Sequence, residues 1–513
     1  MRCGRWRKWK RSQSRGTFAS VPTLVHKATQ MPARRAQSSL PFGVLARARQ
    51  TAYLLAASHL ERRVPWWPME RIEWLQRRRV RATIEYAYAN VPFYRRALDD
   101  QGLAPRDFVS ARDLERLPLI DGSMLAVNPD DFTAQRYRHE GREVFNTSGS
   151  TTGVRKRICW DHGSLMRRFA RGERDRIVIT RLADERWTAT MLREFITSEP
   201  ARTLASRLLR VDSEAHQRLQ ILPAGFSSRT MRTIGGERSL IPRRPLHYHH
   251  LSPAAPFEVA AAQIRALKPR VVYSFGSYAE QFLRHLADRR AKVPMPRVWV
   301  YLGDMISDTA RELADEFGCR LYSVYGAMEA GTIGFQCERR DGFHLNVDLC
   351  ALRVVDADGR TLPPGEPGEI VISSLDNRAT VLLNYRIGDR AVLAKQPCPC
   401  GRSLPLLASF EGRRSEMIHL LDGRAVSSLM LEGLFRVELR RTLQAQIEQV
   451  RPGELRWHIV PFASADREEL RRAFAARAAE TLGTGTTVTI EFTEGIARTS
   501  QGKFLRAVVN LDR

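Results

Sequence analysis

The segment Asn146-Thr147-Ser148-Gly149-Ser150-Thr151-Thr152-Gly153-Val154-Arg155-Lys156 is built of small hydroxyl residues and glycine, ending in two cations. Such a loop leaves backbone N–H and side-chain O–H donors free to wrap phosphate oxygens. It is not the Walker loop, because the Gly-x4-Gly-Lys-Ser/Thr spacing is absent; alone, such a segment is more often a plain flexible loop. Four further segments follow in order: Tyr325-Gly326-Ala327-Met328-Glu329, Asn384-Tyr385-Arg386-Ile387-Gly388-Asp389, Glu411-Gly412-Arg413-Arg414-Ser415-Glu416 and Arg498-Thr499-Ser500-Gln501-Gly502-Lys503-Phe504. Singly, Asp389 reads as a turn residue and Lys503 as a surface lysine. A different chemistry is offered by Cys337, His344, Cys398 and Cys400, whose Cys-x6-His and Cys-x-Cys spacing suits a tetrahedral zinc site of soft thiolate and imidazole donors. His247, His249 and His250 lack regular ligand spacing and read as loop histidines.

These segments need a scaffold, and the sequence predicts one. From Phe257 the pattern alternates: helix 257–267, strand 270–273, helix 278–289, strand 298–302, helix 307–317 and strand 320–325. Strands alternating with helices of this length imply βαβ units and a parallel sheet. Ligands of such sheets sit beyond the carboxyl ends of the strands, where Gly276, Gly303 and Gly326 fall. After residue 342, short strands and turns predict a small β-barrel or meander. Beyond Gly412 a strand, the Asp422-Gly423 hairpin, a helix, strand 456–460, helix 467–482 and strand 486–492 make a small α+β domain. Upstream, residues 66–94 read as a helix ending at Asn90-Val91-Pro92, followed by a strand-rich, loop-bearing region through Thr152. Residues 165–250 give no clear pattern. The expected fold class is α/β: a basic tail (1–40), a large N-terminal domain (41–412) with mostly parallel βαβ sheets plus a small β-barrel-like segment, and a small mobile C-terminal domain (413–513).

The net charge is +26, and residues 1–40 hold ten Lys or Arg and no acid. The rest of the excess is largely Arg interspersed with acids on predicted helices, a solvated face rather than a nucleic-acid stripe. The tail lacks the apolar segment of a secretory signal. Its composition also resembles a transit peptide, and its Arg5-Trp6-Arg7-Lys8-Trp9-Lys10-Arg11 stretch suits a membrane surface or nucleic acid. The plain alternative is a disordered extension before Met31. Seven cysteines, an odd number, fit a reducing compartment and a cytoplasmic location rather than a disulfide scaffold.

Taken together, over about residues 66–513, the five segments resemble the AMP-forming adenylating ligase superfamily. Within it they resemble the phenylacetate–coenzyme A ligase-like and capsular-polysaccharide-biosynthesis-type branch. Gln76, Asn90-Val91-Pro92-Phe93-Tyr94, Gly342-Phe343-His344-Leu345-Asn346 and Cys398-Pro399-Cys400-Gly401-Arg402 carry the likeness to that branch.

The resemblance implies ATP-dependent activation of a carboxylic acid to an acyl-adenylate with pyrophosphate release, then acyl transfer to coenzyme A. By this likeness, Thr147, Ser148, Gly149, Ser150, Thr151, Thr152 and Gly153 hold the ATP phosphates. Gly303 and Asp304 line the adenine pocket, and Tyr325 with Gly326 packs on the adenine. Glu329 binds Mg2+, Asp389 accepts both ribose hydroxyls, and Arg413 supports the ribose and α-phosphate. Lys503 reaches the reacting carboxylate from the small domain. Gly276, Ser277 and Tyr278 are expected to form the acid pocket, with Tyr278 pointing to an aromatic or hydrophobic acid. The sequence departs from the pattern at Asp304, a shortened glutamate, and at Ser415 and Glu416, where two aspartates are usual. Expected partners are the acid, coenzyme A or another acyl acceptor, a second copy in a homodimer, and a membrane surface touched by the tail, with no specific nucleic acid. Two rivals stay open: acyl transfer to an amine, hydroxyl or carrier in envelope polysaccharide assembly, and a non-catalytic basic protein binding anionic membrane or nucleic acid.

Overall fold

The computed structural model of the chain describes residues 43–146, 156–185, 217–223, 238–240, 248–482, 485–499 and 504–510. The tail (1–40), the hydroxyl-rich loop from Thr147 to Gly153, His247 and Lys503 therefore lie outside the described residues. Most of 165–250 does too.

The regular alternation from Phe257 folds as anticipated. Phe257–Leu267 is a helix because Ala260, Ala261 and Ile264 recur on one buried face. Strands Val271–Phe275, Val298–Leu302 and Arg320–Ala327 pair in parallel, Val271 opposite Val298 and Val298 opposite Arg320. The helices Gly276–Asp288 and Asp308–Glu316 connect them. Arg218–Ile221 and Tyr248–Leu251 extend the parallel side. Arg320–Ala327 is the junction of the sheet: parallel to Val298–Leu302 on one edge, it pairs antiparallel with Gly331–Phe335 on the other. From there Phe343–Leu345, Leu406–Arg413, Tyr385–Leu393, Pro367–Ser374 and Cys350–Val355 continue as antiparallel neighbours of the same eleven-stranded sheet. The segment read as barrel-like is thus hydrogen-bonded continuously to the parallel core.

Upstream, the helix Met69–Asn90 ends at Val91, and Pro92 opens the next helix, Pro92–Asp99. The strand-rich expectation for residues 100–146 is corrected. Between Asp99 and Asn146 the described chain forms single-turn helices, the short helix Gly122–Val127 and one strand, Arg142–Asn146. Side-chain capping decides this: Asp121 accepts from the N–H groups of Ser123 and Met124, a local bond that competes with strand pairing.

Beyond Arg413 a separate apolar cluster, centred on Phe435, Trp457 and Phe474, forms under a four-stranded sheet. Strands Thr442–Arg451 and Ala507–Val509 of this sheet were not foreseen. The first reads Gln-Ala-Gln-Ile-Glu-Gln at its centre, where Ile447 is the single β-branched residue among alanine and polar neighbours.

The small cluster is tied to the large sheet's flank through buried ions. Arg506 donates to Glu280 on the helix Gly276–Asp288 (2.6 Å), to Glu432 on the helix Ser428–Leu434, and to the Met305 carbonyl (2.9 Å). Burial alone would lower the Arg506 guanidinium, but the two carboxylates raise it well above its ordinary value. Glu280 also accepts from Arg284 (2.8 Å) and Ser307 (2.6 Å). Arg506→Ala strands buried carboxylates and is expected to cost about 3 kcal/mol of stability, read as a lower urea midpoint. An unchanged midpoint would show that the ions are solvated.

Candidate active site

Three strands converge on one cleft, whose lining also includes Gly303, Asp304 and Phe410. Arg320–Ala327 delivers Tyr325, Tyr385–Leu393 delivers Asp389, and Leu406–Arg413 delivers Arg413 directly opposite Asp389 in the ladder. A register shift between Tyr325 and Gly326 turns the first strand at this point, the effect a bulge has in re-aiming side chains. The Tyr325 hydroxyl donates to Asp389 Oδ2 at 2.8 Å, and Arg413 Nε lies 3.5 Å from Asp389 Oδ1. Tyr325 also packs edge-on against Phe410, with ring centroids 5.2 Å apart.

The electrostatics follow from burial beside charge. Burial raises the Tyr325 phenol well above its ordinary value, and the Asp389 carboxylate adds to this. Arg413 is desolvated, yet Asp389, Glu416 and Glu329 together raise it. Burial raises Glu416 against the pull of Arg413 and Arg506.

Gly303 and Asp304 form the opposite wall. Gly303 ends strand Val298–Leu302 at φ +78°, in the left-handed region that favours glycine. The Gly276 N–H donates to Asp304 Oδ1. A Cβ on Gly276 would stand 2.4 Å from the Asp304 carbonyl oxygen, so only glycine permits this approach. Phe504 and Arg506, from the last stretch of the chain, complete the cleft.

Glu329 sits on the turn after Ala327 and is 5% exposed. Lys156 Nζ donates to Glu329 Oε1 at 2.9 Å and to the Tyr385 hydroxyl at 3.0 Å. Burial raises the Tyr385 phenol, and neighbouring Glu329 raises it further.

The structure thus gathers Gly303, Asp304, Tyr325, Gly326, Asp389 and Arg413 around one space, with Glu329 on the adjoining turn. Of the three residues expected to form the acid pocket, Gly276 reaches the cleft through Asp304. Tyr278 does not: it is fully buried among core side chains, against Phe257 (5.3 Å) and under Arg498 (5.2 Å). Ser277 opens on a separate small cavity beside Glu280 and Arg506. Successive helix residues point about 100° apart, so a helix starting at Gly276 cannot aim all three at one ligand. The hint of an aromatic acid drawn from Tyr278 therefore loses its basis.

Sequence reasoning missed Lys156, Phe504 and Arg506. Lys156 closes the hydroxyl-rich segment and Phe504 the last one, so both were in view without a role. Arg506 carried no signal.

A second constellation lies in the antiparallel half. Cys337, His344, Cys398 and Cys400 bring their ligand atoms within 4.8 Å of one another. Cys337 Sγ and Cys398 Sγ are 3.8 Å apart, and Cys400 Sγ is 3.3 Å from His344 Nε2. Zn–S bonds of about 2.3 Å in a tetrahedron require sulfurs about 3.8 Å apart. His344 Nδ1 faces the Leu404 carbonyl at 3.2 Å. Donation of Nδ1–H there leaves the Nε2 lone pair directed at the cluster, the orientation a metal needs. Burial pushes the His344 imidazole down to about 4 and the Cys337 thiol up to about 12. A bound dication would supply the charge that holds such thiolates. The four donors fit zinc.

Residues 245–377 match the family described as AMP-binding enzyme. A phenylacetate-coenzyme A ligase of Thermus thermophilus is 25% identical over 359 residues, covering 68% of this chain and 72% of that one. Its Escherichia coli counterpart is 22% identical over 399 residues, covering 75% and 81%. Among solved structures, a 2-hydroxyisobutyryl-CoA ligase in its postadenylation state is similar in fold, with TM-score 0.65 and 18% identity over 87% of this chain and 91% of that one.

Proposed function

The chain belongs to the AMP-forming adenylating ligase superfamily, on its phenylacetate–coenzyme A ligase-like side, and from that premise we propose that it activates a carboxylic acid with ATP and passes the acyl group to coenzyme A. In the first step a carboxylate oxygen attacks the α-phosphorus, the α–β phosphoanhydride bond breaks, and pyrophosphate leaves. In the second, the thiol sulfur attacks the acyl carbon, its proton is released, and AMP leaves. The acid is its own nucleophile, so no Ser-His or Cys-His pair is required.

The observation that carries this reading is the Tyr325–Asp389–Arg413 constellation in one cleft. Asp389 is an acceptor for ribose hydroxyls, Tyr325 and Phe410 offer aromatic surface to a base, and the partly exposed Arg413 supplies positive charge toward the α-phosphate. The Thr147–Gly153 loop wraps the phosphates, and Lys503 meets the reacting carboxylate. Mg2+ is held by one or two carboxylates plus phosphate oxygens, and Glu329, a buried carboxylate with Lys156 at its side, fits that demand. When bound, the ion neutralises phosphate charge.

The test is ATP–pyrophosphate exchange across a panel of carboxylic acids, followed by thioester detection with coenzyme A. No exchange with any acid would sink the reading. Exchange without thioester would move the acyl acceptor to an amine, hydroxyl or carrier.

The Cys337, His344, Cys398 and Cys400 cluster takes a structural zinc on this reading, pinning the loop before Leu406–Arg413 to the sheet. Protein purified without chelator is expected to hold about one equivalent of zinc. Cys398→Ala should lose the metal and lower the unfolding temperature by about 5 °C. Metal-free wild-type protein of unchanged stability would remove the idea.

A further inference from the structure

The helix Val44–Glu61 shows solvent a face it has no evident reason to show. Its inner side is satisfied: Leu54 and Ser58 are buried, and Glu61 pairs with Arg174 and Arg171. Its outer side is apolar. Leu45 is 87% exposed, Val44 70%, Leu60 50%, Tyr53 46% and Leu55 42%. At about 100° per residue, Leu45, Ala52 and Ala56 run down the centre of that face. Tyr53 and Leu60 flank it on one side, Val44 and Leu55 on the other. Only Arg49 and His59 interrupt it. Isolated exposed apolar residues need no explanation, but an aligned face does.

The charge pattern says what covers this face. Residues 1–60 contain twelve Lys or Arg and no Asp or Glu. The first acid of the chain is Glu61, and it points inward. Trp6 and Trp9 sit among the cations. An amphipathic helix with an apolar face, joined to a polybasic segment, supplies the two signals that stable interfacial binding takes. No described helix is long and apolar enough to cross a membrane, so the contact is one of lying on the surface.

We infer that Val44–Glu61 is an in-plane anchor that seats the protein on an anionic lipid bilayer, with the basic residues preceding it adding electrostatic attraction. A nucleic acid matches the charge but leaves the apolar face unsatisfied. A second copy matches the apolar face, but a two-fold contact there brings two Arg49 side chains and two basic segments together. The inference is independent of the reaction assigned to the cleft.

The test is co-sedimentation of the full chain with vesicles. Phosphatidylcholine alone is compared with phosphatidylcholine containing about 30% phosphatidylglycerol, at about 0.1 M salt. Binding is expected to be at least about tenfold stronger to the anionic vesicles and to weaken as salt rises. Leu45→Asp with Leu55→Asp should cut it at least about tenfold, with the thermal midpoint and pyrophosphate exchange unchanged. If the Asp pair lowers the midpoint, Leu45→Ser with Leu55→Ser serves instead. Absent binding to anionic vesicles, or binding indifferent to both variant pairs, overturns the proposal. So does a wild-type dimer that these substitutions turn into a monomer, since the face would then belong to a second copy.

Discussion

Lys503→Ala is expected to slow acyl-adenylate formation by at least about 10²-fold, the loss typical of one charged contact to a transition state. Supplied with preformed acyl-adenylate and coenzyme A, the same variant should form thioester at a near-normal rate. The asymmetry follows from where charge develops. A carboxylate attacking a polyanion needs a cation at the α-phosphoryl group, whereas thiol attack on the adenylate does not. Phe504, the next residue in the chain, lines the cleft and is buried, which supports a role for its neighbour there. If the small domain, taken to begin at about Arg413, turns away after the first step, Lys503 is present for adenylation and withdrawn for transfer. Single-turnover assays of the two steps decide the matter. Equal loss of both would point to a fixed arrangement or to misfolding, and no loss of either would return Lys503 to the status of a surface lysine.

Asp389→Ala should weaken productive use of ATP by about 2 to 4 kcal/mol, the worth of two hydrogen bonds to a charged acceptor. The change should appear in KM for ATP, with the affinity for the acid little altered. Its cause differs from that at Lys503, because the ribose contacts are made equally in ground and transition states. The substitution also removes the partner of the Tyr325 hydroxyl and of Arg413. Asp389→Asn, which keeps one acceptor oxygen, should therefore lose less. ATP kinetics unchanged in a folded Asp389→Ala protein would remove the nucleotide from this cleft.

The parallel half of the fold was legible because its signals are local. Buried strands such as Val298–Leu302 are short apolar runs, and the helices between them carry an apolar face of period 3.6. Where polar side chains hold a strand, as in Thr442–Arg451, local preference says nothing and pairing with Glu454–Pro461 and Ala507–Val509 decides. The region after Asp99 failed for the opposite reason: caps such as Asp121 stopped strands that composition allowed.

The site divides along the same line. Turn glycines, the Tyr325 segment, Asp389 and Arg413 announce themselves because each sits in a short motif, and the Cys and His cluster because few side chains share its chemistry. By sequence alone, the chain determined which short motifs could carry chemistry and, in the parallel half, which secondary elements hold them, since both depend on neighbours a few positions away. Tertiary structure alone decided who meets whom. Lys156 finds Glu329 across 173 residues, and Arg506 finds Glu280 across 226. It also sent Tyr278 into the core rather than to a ligand. Such pairings rest on desolvation and on the geometry of distant elements, and a buried charge takes whichever partner the fold brings within reach. No pattern along the chain encodes that choice.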